Sequence, residues 1–220
     1  MMEVHRHLDE ELASLRDSVL RLGGEAETAL RHALHSLAER DTAEAHDVLE
    51  HDDAVDQLEV EVDQRAIDIF ALRQPAARDL RFVMSATKMA PVLERIADHA
   101  CNIARAAIDL NNEPELKNNV RVQNMGAIAL EMLAGALNAF TRNDAAAARK
   151  IIERDREING LYNQIFHDLI EKMAKEPATA TRDARLLFIA KHLERIGDYV
   201  TDICELTVYM AEAAIIKHRH

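Results

Sequence analysis

The chain has 220 residues, of which 48% are hydrophobic and only 4% aromatic, with six Gly, four Pro and no Trp. So few turn residues demand long elements, and a mix dominated by Ala, Leu, Ile, Glu and Arg suits closely packed helices and suits a sheet sandwich poorly. A formal net charge of −12 with no basic run argues against a nucleic-acid surface, and no stretch of about 18 apolar residues exists to span a membrane.

The opening Met-Met-Glu-Val-His-Arg-His is polar and lacks the apolar core of a signal peptide. The first helix is expected over residues 4–39, bent where Gly23-Gly24 falls inside it. Asp41-Thr42 caps a second helix over 42–73, which Gln74-Pro75 ends because proline cannot continue the hydrogen-bond ladder. A third helix covers 76–110, with Pro91 bending it, and Asn111-Asn112-Glu113-Pro114 is a linker. Three more follow at 115–140, 144–175 and 180–217, with Asp144 as a cap and Glu176-Pro177 as a stop. These lengths far exceed the globular mean of about 11–12 residues and point to bundles. Leu93, Ile96, Ala100, Ile103, Ala107 and Leu110 recur at steps of three and four, as do Leu193, Ile196, Val200, Ile203, Thr207 and Met210, giving each helix a packing seam.

The six segments form two sets of three. Leu93-Glu94-Arg95-Ile96-Ala97-Asp98 recurs as Leu193-Glu194-Arg195-Ile196-Gly197-Asp198, and Glu50–Leu58 is echoed by Glu153–Leu161. Pro75 and Asp79 before the third helix are echoed by Pro177 and Asp183 before the sixth. Duplication of a unit of about 100 residues explains this pattern. The fold class is therefore all-α, one three-helix unit used twice in tandem, divided as residues 1–112 and 113–220.

Glu94, Asp98 and Asn102 stand at i, i+4, i+8, as do Glu194, Asp198 and Asp202, so each set shares a helix face. At 100° per residue that face lies opposite the apolar seam, which would put a bound ion at the surface. Asp52 and Asp56 on the second helix, and Asp155 and Asn159 on the fifth, add further oxygens. One such pair on a polar face is ordinary solvated surface. Repeated on two neighbouring helices in both halves, the pairs accumulate repulsion that a cation relieves. All-oxygen donors favour hard ions such as Mg²⁺, Mn²⁺, Ca²⁺ or iron. His99 follows Asp98 but is Tyr199 in the other copy, and His218 and His220 read as a terminal tail. Cys101 and Cys204, seven residues after Glu94 and ten after Glu194, lack CxxC spacing and read as small core residues in a reducing compartment. No Glu-x-x-His, Gly-x-Ser-x-Gly, Walker, His-Glu-x-x-His or Rossmann motif occurs, so an enzyme is not expected.

The doubled Leu-Glu-Arg-Ile-(Gly/Ala)-Asp block resembles the hallmark of the PhoU family of phosphate-transport regulators, as do Gln74–Arg81, Gly23-Gly24 and the Asp-x-x-x-Asp/Asn pairs. The resemblance covers essentially the whole chain, and it implies two tandem three-helix bundles (six long helices) with internal pseudo-two-fold symmetry. It implies a cytoplasmic homodimer that negatively regulates the phosphate regulon and phosphate uptake, acting between the phosphate ABC transporter, chiefly its PstB ATPase, and the PhoR sensor kinase. It also implies metal ions (Mg, Mn, Zn or Fe) on the acidic motifs, with ligands Asp52, Asp56, Glu94 and Asp98 in the first repeat and Asp155, Glu194, Asp198 and Asp202 in the second. Departures are Ala97 where the other copy has Gly197, so that its methyl crowds the first site, Asn159 and Asn102 where it has carboxylates, and Pro91 tilting the first site's helix. Two other readings are a metal-storage protein whose acidic patches are its function, and an accessory to a low-affinity phosphate permease.

Overall fold

The computed structural model describes residues 2–114 and 120–216, with side chains from residue 7 onward. Among the described residues seven α-helices run in the order α1 Met2–Ala38, α2 Thr42–Glu50, α3 Asp52–Arg73, α4 Ala77–Asn111, α5 Val120–Arg142, α6 Ala145–Lys175 and α7 Ala180–Glu212, with one 3₁₀ turn at Pro177–Thr179. The described residues contain no strand.

The expected caps are in place. Asp41 accepts from the Glu44 N–H at 3.0 Å and Asp144 from the Ala147 N–H at 2.9 Å, each satisfying a donor that a helix start leaves open. Gln74 leaves α3 in the left-handed region, with φ at 48° ahead of Pro75. α1 is continuous through Gly23-Gly24 and α4 through Pro91.

Two boundaries differ from the sequence reading. The single helix expected over 42–73 is two, broken at His51, whose φ of −89° and ψ of −3° stay in the broad right-handed region but depart from regular helix values. Its Nδ1–H donates to the Asp47 carbonyl at 2.7 Å, beside the backbone N–H that bonds the same oxygen, so the side chain competes for the ladder's acceptor. The last helix stops at Glu212 rather than 217, closed by Ala213 with φ at 58° and its N–H on the Tyr209 carbonyl. The fourth segment's expected start at 115, and His218 and His220, lie outside the described residues.

α4 and α7 are the central helices. α1, α2 and α3 pack on α4; α5 and α6 pack on α7; and α4 meets α7 between the repeats. α1 also meets α5, and two glycines permit that approach: a Cβ on Gly23 would fall 2.5 Å from Leu137 Cδ2, and one on Gly126 would fall 2.7 Å from Leu34 Cδ2. The core is continuous across both repeats, running from Leu15, Leu22 and Leu30 through Leu93, Ile96 and Ile103 to Met132, Phe140, Ile158, Leu193 and Ile196. Cys101 and Cys204 are buried free thiols, pushed up to about 12 chiefly by burial, which fits small core residues and makes them inert at neutral pH.

Candidate functional site: two unequal acidic faces

In the first repeat α4 carries Glu94 and Asp98 one turn apart, and the helix restart after His51 sets Asp52, Asp56 and Glu59 along α3 beside them. The stripe does point away from the apolar seam. It opens into the angle between α3 and α4 rather than freely to solvent, so Glu94 is half-buried while Asp56 and Asp98 are exposed. Burial, the charge of Asp98 and the charge of Glu59 push the Glu94 carboxyl up to about 7, and its protonated form hydrogen-bonds Asp98. Asp56 is raised by desolvation and then by Asp52 and Asp98; Glu59 by desolvation and then by Asp63 and Asp56, with Arg95 opposing.

Asp52 is turned inward. Its Oδ1 accepts from the Cys101 thiol at 3.3 Å. Behind it a cavity of about 240 Å³ is lined by Glu25, His32, Asp47, Asp52, Ala97 and Cys101. The Ala97 methyl, expected to crowd the first site, lines this cavity instead.

The crowding has an energetic consequence. A carboxyl raised in the folded state makes stability fall as pH rises from its unfolded value, 4.5, toward about 7, because the folded protein holds the proton longer. In metal-free protein Glu94→Gln is therefore expected to stabilise above pH 7 by about 1–2 kcal/mol, allowing for solvent screening. The gain vanishes below pH 4.5. Denaturant titrations at pH 4 and pH 8 check this; an equal effect at both would remove the charge-crowding argument.

In the second repeat the matching groups are differently served. Asp155 on α6 is half-buried, and its Oδ2 accepts from the Asn159 amide at 2.6 Å. Gly197 makes room for it, since a Cβ there would lie 2.9 Å from Asp155 Oδ1 and 3.2 Å from Ile158 Cδ1. Glu194 Oε2 accepts from the Lys191 ammonium at 2.5 Å, and that ammonium lies 5.1 Å from the centroid of the Tyr162 ring. Asp198 is raised by burial, Glu194 and Asp155 and lowered by Arg195 and Lys191, with Arg195 Nη1 3.7 Å from its Oδ2. Asp202 is half-buried one turn further along α7.

Thus Asp56, Glu94 and Asp98 share one field with Asp52 at its edge, and Asp155, Glu194 and Asp198 share another. Among the described residues no three His, Cys, Asp or Glu side chains are grouped tightly enough to hold an ion as they stand. The first face nevertheless carries only the donor type that suits a hard cation: Asp56, Glu59, Glu94 and Asp98 are all oxygen donors, and their charges raise one another.

Glu59, Tyr162 and Lys191 were missed from sequence. Glu59 was within reach, as it continues the Asp52, Asp56 face at i+7 and i+3. His99 is not a member of the acidic face. Its Nδ1 lies 2.9 Å from His192 Nδ1 and its ring stacks on Tyr199 at 5.6 Å, joining α4 to α7. Burial depresses both imidazoles, His192 to about 4, so the pair is neutral at pH 7.

A PhoU domain model matches residues 19–107 and 122–207. Among relatives, a phosphate-specific transport system accessory protein PhoU homolog of Aquifex aeolicus is 35% identical over 97% of this chain and 96% of its own. Its namesake in Caulobacter vibrioides is 38% identical over 90% and 86%. The crystal structure of PhoU from Pseudomonas aeruginosa superposes with a TM-score of 0.91 at 34% identity, covering 94% of this chain and 99% of that one. The phosphate transport system regulatory protein PhoU from Streptococcus pneumoniae gives 0.89 at 32%, covering 95% and 99%. With its duplicated helical architecture, its paired acidic faces and these matches over nearly its full length, the chain belongs to the PhoU family.

Proposed function

We propose that this protein is a non-enzymatic negative regulator of the phosphate regulon and of phosphate uptake. It works as a cytoplasmic homodimer between the phosphate ABC transporter, through its PstB ATPase, and the PhoR sensor kinase. The observation that carries this reading is the match of both repeats to the PhoU domain, joined to relatives whose names place them with the phosphate-specific transport system. That no helix among the described residues is long and apolar enough to cross a membrane agrees with action beside a transporter rather than as part of its pore. Deleting the gene is expected to raise a phosphate-regulated promoter in phosphate-rich medium to near its starved level. Unchanged repression would refute the proposal.

We also propose that the first repeat's acidic face binds a hard divalent ion or iron, with Asp56, Glu59, Glu94 and Asp98 as the ligands. The crowding that raises Glu94, Asp56 and Glu59 together supports it.

A further inference from the structure

The two repeats carry the same Leu-Glu-Arg-Ile-x-Asp block, so their helices can be compared position by position. Three residues before the block's glutamate, α7 has Lys191 and α4 has Pro91. On the facing helix, the residue after the shared leucine is Tyr162 in α6 and Glu59 in α3. The next acidic position is Asn159 in one and Asp56 in the other. All three differences act in one direction. The first repeat replaces a cation, an aromatic ring and an amide by a proline and two carboxylates.

The geometry shows what the second repeat does with them. Lys191 extends along α7 to place its ammonium 2.5 Å from Glu194 Oε2 and 5.1 Å from the Tyr162 ring centroid, so that α6 supplies a π face behind the charge. Glu194 is only 16% exposed on its side chain, which keeps the pair partly out of water. Asn159 occupies one Asp155 oxygen, and Arg195 lies beside Asp198. A divalent ion arriving there would have to displace Lys191 and then share the site with a positive charge it cannot expel far, the side chain being tethered.

We propose that Lys191 is a built-in cation that takes the place of a metal ion in the second repeat. Metal binding is then confined to the first repeat. The two faces are a filled copy and an open copy of one site, and Lys191 together with Tyr162 decides which is which. The part concerning the first repeat rests on the metal reading under Proposed function; the part concerning Lys191 does not.

The test is Mn²⁺ titration of chelator-stripped, full-length protein, reading free Mn²⁺ by electron paramagnetic resonance. Three double variants are compared with the wild type: Glu94→Gln/Asp98→Asn, Glu194→Gln/Asp198→Asn and Lys191→Met/Tyr162→Glu. The first is expected to lose wild-type binding and the second to keep it. Lys191→Met/Tyr162→Glu is expected to gain a second set of sites, binding about ten-fold or more tighter than any residual affinity of that face, and Glu194→Gln added to it removes the gain. Lys191→Met alone, which retains the α7 backbone and Tyr162, is expected to show a smaller gain and covers the case of a misfolded double variant. Loss of wild-type binding in Glu194→Gln/Asp198→Asn overturns the proposal, as does absence of any gain in both folded Lys191 variants. A wild type that binds no Mn²⁺, with a gain in Lys191→Met/Tyr162→Glu, sinks the first-repeat reading and supports this one.

Discussion

Replacing Asp183 with Ala is expected to lower the unfolding free energy by about 3 kcal/mol, from loss of a buried ion pair and its hydrogen bonds. Asp183 is fully buried near the start of α7. Its Oδ1 accepts from Lys172 at the end of α6 at 2.7 Å, and its Oδ2 from the Thr179 hydroxyl in the intervening 3₁₀ turn at 2.6 Å. One carboxylate thus closes the α6–α7 corner and sets the register in which Asp155 meets Gly197 and Tyr162 meets Lys191. Lys172 keeps partial access to water, which holds the cost at the lower end of the range for breaking a buried pair. Asp183→Asn retains an acceptor for Thr179 and should cost less than Ala. Removing both charges, with Lys172→Met and Asp183→Leu together, should recover much of the loss. Thermal and urea denaturation measure all three; a loss below about 1 kcal/mol in Asp183→Ala would show that the corner is held by other contacts.

Most of the fold was legible because its signals are local. Asp41 and Asp144 announce helix starts, Pro75 and Pro177 announce stops, and the seams from Leu93 and Leu193 follow helical spacing. The break at His51 was not, because it turns on one side chain choosing its own Asp47 carbonyl, for which composition and period give no sign. The acidic residues were legible as a repeated motif, while their inequality was not. Lys191 reads from sequence as one more surface cation on an amphipathic helix, and only the packing of α6 on α7 brings Tyr162 beneath it. Likewise Ala97 against Gly197 reads as a steric difference at one site. In the folded chain one lines a cavity and the other makes room for Asp155.

Phe140→Ala is expected to cost about 3–5 kcal/mol, which in a chain of this size lowers the melting temperature by on the order of 10 °C. Phe140 near the end of α5 is fully buried and stacks on Phe82 of α4 with centroids 6.2 Å apart. The Arg16 guanidinium of α1 lies 4.8 Å from the Phe82 ring and 5.7 Å from Phe140, and it donates to the Thr141 carbonyl at 3.3 Å. One second-repeat side chain therefore anchors two first-repeat helices. Alanine leaves a cavity between the repeats and strips the cation of one of its two rings. If the two PhoU domains were independent folding units sharing a chain, the damage would stay in the second. The continuous core argues instead that they unfold together, because neither α4 nor α7 is covered without the other. Hydrogen exchange is then expected to show protection falling by the same free energy in α4 as in α5, with a single unfolding transition retained. Full protection of α4 beside a weakened α5 would mean that the repeats are coupled by contact alone and not by a common core.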